Sequence, residues 1–240
     1  MNTKLSSAQL KAISKGQLLG RYGSAISAEL AAGAILFAAS LLCSSLTDQS
    51  TAAGLIVSYL IMLILDLLGG IFTVGLTRFY LNLICGRPYP ITDVFYGFRS
   101  HADKAIAVRF FLMLMQFLCM LPFILCSFLY IRTESAGVFL LCSITTVCGG
   151  VFIVILSLLY SQVYYVMLDF PAYTAKQVMR TSRNIMKGNK ARLFYLCVTL
   201  IPYYLLSLLS CGIALFWVIP FQKTLFANFY LDLMHREYTV

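Results

Sequence analysis

The chain has 240 residues, of which 60% are hydrophobic and 11% charged, and its mean hydropathy is +0.86. Soluble domains carry roughly 25% charged residues, so a water-soluble fold of this composition would lack enough polar surface. The net charge of +9 does not indicate nucleic-acid binding, because the basic residues stand beside apolar runs rather than in a basic domain. The composition predicts an all-α membrane protein that forms a single integral domain.

Sparse charges divide the chain into long apolar stretches. A helix needs about 20 apolar residues to cross roughly 30 Å of hydrocarbon. Six stretches meet this requirement, at about 24–46, 51–85, 105–130, 135–168, 191–208 and 212–233. The pairs Gly69-Gly70 and Gly149-Gly150 are the expected flexible points of the second and fourth spans. The last two spans are expected to form a hairpin that turns near 207–212, since one helix over 191–233 would far exceed the bilayer.

The basic residues also predict the orientation of the spans. They precede the first span and lie between the second and third, between the fourth and fifth, and after the sixth. Cytoplasmic loops carry an excess of Lys and Arg, so six spans place both termini in the cytoplasm and the chain in the plasma membrane. A five-span alternative would put Arg236 outside. The opening segment, 1–22, does not have the form of a cleavable signal, because the apolar run that starts near Ser24 is too long and more spans follow.

A repeated unit is a further hypothesis. Related pentapeptides close the second, fourth and sixth spans at Phe79–Leu83, Tyr164–Leu168 and Phe229–Leu233. The segment Ile13–Gln17 before the first span also resembles Ile185–Asn189 before the fifth. Aromatic belts and basic flanks produce such similarity without common ancestry, so both explanations stay open.

The hypothetical unit has three parts: a short surface helix, a hairpin of two crossings and an aromatic end. It would be used three times, and Ile91–Arg99 is then the surface element of the middle copy.

Two cytoplasmic segments have the spacing of basic amphipathic helices. In 172–189 a single stripe carries Lys176, Arg180, Arg183 and Lys187, and in 1–22 a stripe carries Lys4, Lys11 and Lys15. Such helices lie at the headgroup boundary and attract anionic lipid by about 1 kcal/mol for each charge. The sequence therefore predicts contact with anionic lipid headgroups or with a partner membrane protein. The alternative is ordinary topogenic charge without lipid preference.

Polar residues inside the spans give a second candidate site. Asp66 and Lys223 both fall near the middle of the bilayer, where charges are costly and usually face a partner or a wet cavity. They are expected to pair, and the same interior would include Tyr203, Tyr204, Trp217 and Gln222. The functional interpretation is a substrate or ion site, and the structural one is polar contact between helices. Glu29 and Arg78 are another expected contact.

The remaining chemistry is sparse. The eight cysteines form no Cys-x-x-Cys pair and lie mostly in apolar runs, where cysteine behaves as a small hydrophobe. A disulfide among Cys43, Cys126, Cys142 and Cys211 stays open. Neither a nucleophile elbow nor a phosphate-binding loop is present. We therefore expect no enzymatic activity, no cofactor and no metal centre.

The last third of the chain resembles a family of bacterial multi-pass membrane proteins. The residues that carry the resemblance are Asp169, Pro171, Ala175, Ser182, Met186-Lys187-Gly188, Lys190, Phe194, Gly212-Ile213, Trp217, Pro220 and Phe229–Leu233. In this pattern the chain is similar to the proteins grouped as domain of unknown function 975. The resemblance implies an integral membrane location and no established activity. At Pro202-Tyr203-Tyr204 the sequence departs from the Gly-Trp element of that family.

Two functions are consistent with these features. The first is a non-enzymatic protein whose basic helices engage anionic lipid or a membrane complex, or a second copy of the chain, in envelope maintenance. The alternative is a small permease or channel that uses the polar interior around Asp66 and Lys223.

Overall fold

A computed structural model describes residues 5–47 and 50–234, and the regular structure in this part is helical. The α-helices are α1 (Ser7–Leu18), α2 (Tyr22–Leu46), α3 (Ala52–Ile84), α4 (Tyr96–Arg99), α5 (Ala102–Thr133), α6 (Ala136–Leu159), α7 (Val163–Asp169), α8 (Ala175–Ile185), α9 (Lys190–Val198), α10 (Ile201–Leu209) and α11 (Leu215–Leu233). A 3-10 helix, Ile91–Phe95, leads directly into α4. The predicted all-α class is confirmed.

Five helical segments are long and apolar enough to cross a membrane. They are Tyr22–Leu46, Ala52–Ile84, Ala102–Thr133, Ala136–Asp169 and Lys190–Leu209. The expected sixth span corresponds to α11, which is not among the five, because Gln222, Lys223, Asn228 and Asp232 lower its hydropathy. Much of α11 is instead buried inside the protein.

Two of the predicted spans contain a break. The fourth breaks at 160–162, between α6 and α7, and not at Gly149-Gly150. Gly149 lies within α6, and α5 packs directly on it: a Cβ there would lie 2.9 Å from the carbonyl oxygen of Cys119. The fifth span is interrupted before Pro202, which stands in the first turn of α10, where proline is tolerated.

The turn between α10 and α11 occupies 210–214, slightly later than the expected 207–212. Cys211 and Gly212 adopt positive φ angles of 51° and 90° there.

The three aromatic pentapeptides meet at one end of the bundle, and we call 79–83, 164–168 and 229–233 together the exit core. Tyr80 and Tyr230 are fully buried, and the ring of Tyr165 stacks on that of Tyr230 with centroids 5.1 Å apart. Helix α3 packs against both α7 and α11. Sequence segments far apart in the chain therefore form one core.

Each short surface element packs on a different helix of the exit core. α1 lies against α11, the 3-10 helix and α4 lie against α3, and α8 lies against α7. The contact on α3 is tight at Gly75, where a Cβ would lie 2.0 Å from the carbonyl oxygen of Val94.

α1 and α8 share local features. Capping boxes begin both helices, formed by Ser6 with Gln9 and by Thr174 with Gln177. After each helix a glycine takes a left-handed conformation, Gly20 at φ 74° and Gly188 at φ 78°. The matching positions are thus Gly20 and Gly188. The similarity of Ile13–Gln17 to Ile185–Asn189 instead pairs Gly16 with Gly188. The structural register differs from the predicted one by about one helical turn.

All eight cysteines lie in the described part of the chain and are free thiols. The disulfide that the sequence left open among Cys43, Cys126, Cys142 and Cys211 is not formed.

The close approach at Gly75 gives a test of the packing. Gly75→Ala should lower the free energy of unfolding by about 1–3 kcal/mol, because overpacking forces the backbone apart. The measurement is thermal denaturation of the purified protein in detergent. Gly33→Ala is the matched control, since nothing lies within 4 Å of a Cβ built at Gly33. Equal stability of the two variants would contradict the described contact.

Candidate functional site: a basic groove beside the apolar helices

A groove of about 570 Å³ runs along α8. It is lined by Phe111, Tyr160, Lys176, Met179, Arg180 and Arg183. Three of the four predicted stripe residues therefore line one cavity, together with side chains of the apolar segments. Lys187, the fourth, is exposed but is not among the lining residues.

The opposite face of α8 is anchored to the protein. Val178 and Ser182 are fully buried, and the Ser182 hydroxyl donates to the carbonyl oxygen of Leu159 at 3.1 Å. The loop before α8 is held by Lys104, whose ammonium donates to the carbonyl oxygen of Pro171 at 2.5 Å. The basic side chains are thus presented from a fixed helix.

The cations of the groove are not neutralised by neighbouring carboxylates. Within the described ranges the ion pairs join Arg78 to Asp93, Arg109 to Asp66 and Arg192 to Asp232. None of these pairs involves α8, whose Lys176, Arg180 and Arg183 are all exposed. The groove consequently presents three uncompensated positive charges.

A smaller crevice of about 110 Å³ adjoins this groove between α5 and α6. Its lining residues are Arg109, Leu112, Met115, Gln116, Leu156, Ser157 and Tyr160. Tyr160 lines both cavities, so the crevice and the groove meet there. Further along the same two helices, α5 and α6 close against each other at Gly149, where a Cβ would lie 2.7 Å from Cε of Met120.

The predicted pair between Asp66 and Lys223 is wrong. Arg109 donates two hydrogen bonds to Asp66, one from Nε to Oδ2 at 2.9 Å and one from Nη2 to Oδ1 at 2.5 Å. Arg109 is the nearer cation because α3 packs directly on α5. The backbone carbonyl of Lys223 lies 3.5 Å from the hydroxyl of Tyr165.

The other residues of the predicted polar interior lie on α10 and α11. Tyr204 donates its hydroxyl to the Gln222 side chain, and the Tyr203 ring lies 5.7 Å from that of Phe221. Trp217 is half exposed. The structure therefore joins Tyr204 to Gln222, but Asp66 belongs to a separate contact between α3 and α5.

The contact predicted between Glu29 and Arg78 is also wrong. Arg78 lies 3.6 Å from Asp93 and stacks on the ring of Tyr96, with its guanidinium 3.6 Å from the ring centroid. Glu29 lies within α2, and the ion pairs of the described residues do not include it.

The basic residues of the opening segment differ from those of α8. Lys4 lies outside the described residues. Lys11 is partly buried, and the ammonium of Lys15 lies 5.8 Å from the ring centroid of Tyr203. One face of α1 packs on α11, so part of this segment is engaged within the protein.

Sequence reasoning missed the apolar walls of the groove and the crevice beside it. Phe111 and Tyr160 are two of many aromatic residues in apolar runs, and nothing in their spacing sets them apart. Arg109 is one of several basic residues near the start of the predicted third span, and the structure places it inside α5. The sequence signal for the crevice is the spacing of Arg109 and Gln116, which places these two polar residues two turns apart on one face of a helix.

The family comparison agrees with the resemblance seen in the last third of the sequence. The profile described as "Protein of unknown function (DUF975)" matches residues 1–237. The chain belongs to the DUF975 family. No curated protein and no solved structure gives a significant match to this DUF975 chain. Within the described residues, no group of three His, Cys, Asp or Glu side chains could hold a metal ion.

The pair of Asp66 and Arg109 predicts a non-additive effect on stability. Arg109→Leu alone should cost on the order of 2 kcal/mol, because it leaves a carboxylate without its partner inside an apolar segment. Adding Asp66→Leu should restore much of the loss. Thermal denaturation in detergent of both single variants and the double variant measures the coupling. Additive losses would show that the two side chains do not interact.

Proposed function

We propose that this DUF975 chain is a non-enzymatic membrane protein that binds anionic phospholipid in the groove along α8. One observation supports the proposal above all: three uncompensated cations share a cavity with Phe111 and Tyr160 of the apolar segments. The cations would bind the phosphate of the lipid headgroup, and the apolar wall would contact the adjoining acyl chains. A site with both at the end of membrane-length helices is suited to a lipid.

The amphipathic form of α8 is consistent with a position at the headgroup boundary. Its cations are exposed while Val178 and Ser182 are buried against the protein. Anionic lipid is favoured over a soluble acidic partner because the groove wall consists of side chains from α5 and from the end of α6. Binding of this kind would serve envelope maintenance or the support of a partner membrane complex.

The topology that fits this proposal has six crossings with both termini in the cytoplasm of a plasma-membrane protein. α11 is the sixth crossing: its 19 residues would extend about 28 Å. It follows α10 after a short turn and packs against α1, α2 and α3. Its polar residues can therefore be buried in protein rather than exposed to lipid.

Threefold repetition is part of the same proposal. Each unit consists of a surface element, a hairpin and an exit segment. The second and third surface elements pack on the exit of the preceding unit, and the first packs on the exit of the last unit. In every unit a residue with positive φ lies between the surface element and the helix that follows it, namely Gly20, His101 and Gly188. These recurrent positions support common ancestry better than sequence similarity does.

The alternative, a small permease or channel, receives less support. The carboxylate of Asp66 is already bound by Arg109 through two hydrogen bonds, which fits polar contact between helices. Loss of a solute flux in Asp66→Asn with unchanged stability would favour the permease.

Charge removal in the groove tests the lipid proposal. Replacing Lys176, Arg180 and Arg183 by Gln should weaken binding of phosphatidylglycerol on the order of a hundredfold, at about 1 kcal/mol for each charge. The measurement is retention of this lipid over phosphatidylcholine by the purified full chain, at low and high salt.

The matched control replaces Arg87, Arg99 and Lys187 by Gln, which removes the same charge from exposed positions outside the groove. If both triple variants lose binding equally, the positive charge acts without a specific site and the proposal fails.

The six-crossing topology is tested by thiol labelling of intact cells. Cys211 is exposed in the turn between α10 and α11, and we expect a membrane-impermeant maleimide to label it from outside. Cys211→Ser should remove that labelling. A cysteine placed at Lys187 should react only after the cells are opened. Labelling of the Lys187 position in intact cells would contradict this arrangement.

A further inference from the structure

The crevice between α5 and α6 contains polar side chains at an unusual place. Arg109, Gln116, Ser157 and Tyr160 line it, and all four lie within or next to apolar segments of membrane-spanning length. Gln116 and Ser157 are exposed at the protein surface. Polar groups at such positions usually face a protein partner or a wet cavity, because hydrocarbon offers no hydrogen bonds.

These side chains have hydrogen-bonding capacity to spare. In the part of the chain that the structure describes, the side chains of Gln116, Ser157 and Tyr160 make no hydrogen bond, although other serines and threonines of α5 and α6 bond to the backbone of their own helix. A polar group left unpaired in an apolar environment costs roughly 1–3 kcal/mol. A ligand that accepts hydrogen bonds would remove this cost.

The position of the crevice limits what that ligand can be. It meets the basic groove at Tyr160, and Arg109 and Gln116 are about 10 Å apart along α5. Further along the two helices, Gly149 lies against Cys119 and Met120, and this contact leaves no room for a ligand between α5 and α6. The apolar walls are Leu112, Met115 and Leu156. The crevice thus offers hydrogen-bond donors with apolar surface beside them, and it adjoins the groove that holds the three cations.

We propose that this crevice binds the glycerol ester linkages of the phospholipid whose phosphate lies on α8. Ester carbonyl oxygens accept hydrogen bonds and cannot donate them, which matches the donors of Gln116, Ser157 and Tyr160. The acyl chains then follow Leu112, Met115 and Leu156 toward the bilayer. The inference rests on the proposed lipid binding and adds the chemical class: an anionic diacyl ester phospholipid rather than its ether analogue.

The test is a competition between two lipids that share one headgroup. The full chain is purified in nanodiscs of phosphatidylcholine that contain equal small amounts of diacyl and dialkyl-ether phosphatidylglycerol, and the retained lipid is quantified by mass spectrometry. We expect a preference for the ester of about three- to tenfold, as one or two hydrogen bonds would give. Gln116→Leu combined with Ser157→Ala should abolish this preference while keeping phosphatidylglycerol above phosphatidylcholine.

A control variant and three further outcomes decide the inference. Ser143→Ala with Thr146→Val removes two exposed polar residues of α6 that do not line the crevice, and it should keep the ester preference. Equal retention of ester and ether overturns the inference but not the proposed function, and so does a preference that survives in the crevice variant. Retention of neither lipid above phosphatidylcholine overturns both. Thermal denaturation of each variant establishes that it is folded.

Discussion

Hydrocarbon provides no hydrogen bonds, and this constraint determines where the polar residues of the chain lie. α11 is the clearest case: it carries Gln222, Lys223, Asn228 and Asp232 in one helix. Asn228 donates to Ser14 and Gln17 of α1, and Asp232 pairs with Arg192 at 2.5 Å. A helix with this composition can be accommodated only if other parts of the protein surround it.

The exit core follows from the same constraint. Tyr230 donates its hydroxyl to Asp169 at 2.5 Å, and Asn82 donates to Asp93 at 2.9 Å. The bond from Tyr230 and the stacked rings of Tyr165 and Tyr230 join α11 to α7, whereas the bond from Asn82 joins α3 to the 3-10 helix. α3 itself packs against both α7 and α11. The surface elements pack on α11, α3 and α7, the helices that contain this core. α8 differs from α1 because three of its cations line a groove beside Phe111 and Tyr160. In α1, Lys11 is partly buried and the ammonium of Lys15 lies over the ring of Tyr203.

The boundaries of the long helices could be predicted because charged residues are rare, and α2 and α3 begin and end within a few residues of the predicted spans. Partners within the bundle could not be predicted in the same way. Asp66 had more than one cation available in the sequence, and only the packing of α3 on α5 selects Arg109. The basic stripe of α8 was visible from its spacing. The walls of its groove come from two other helices, so Phe111 and Tyr160 became recognisable only in three dimensions.

The two ends of the described chain hold each other. The backbone N–H of Leu5 donates to Asp232 at 3.1 Å, and the carbonyl oxygen of Leu5 accepts from Arg192. During synthesis the amino-terminal segment is made first, but its seat on α11 exists only after the last helix has been made. α1 can therefore dock only after α11 has been made. Docking of α1 on α11 joins the first and last helices of the described chain. A chain truncated before α11 would therefore leave α1 without the surface on which it packs.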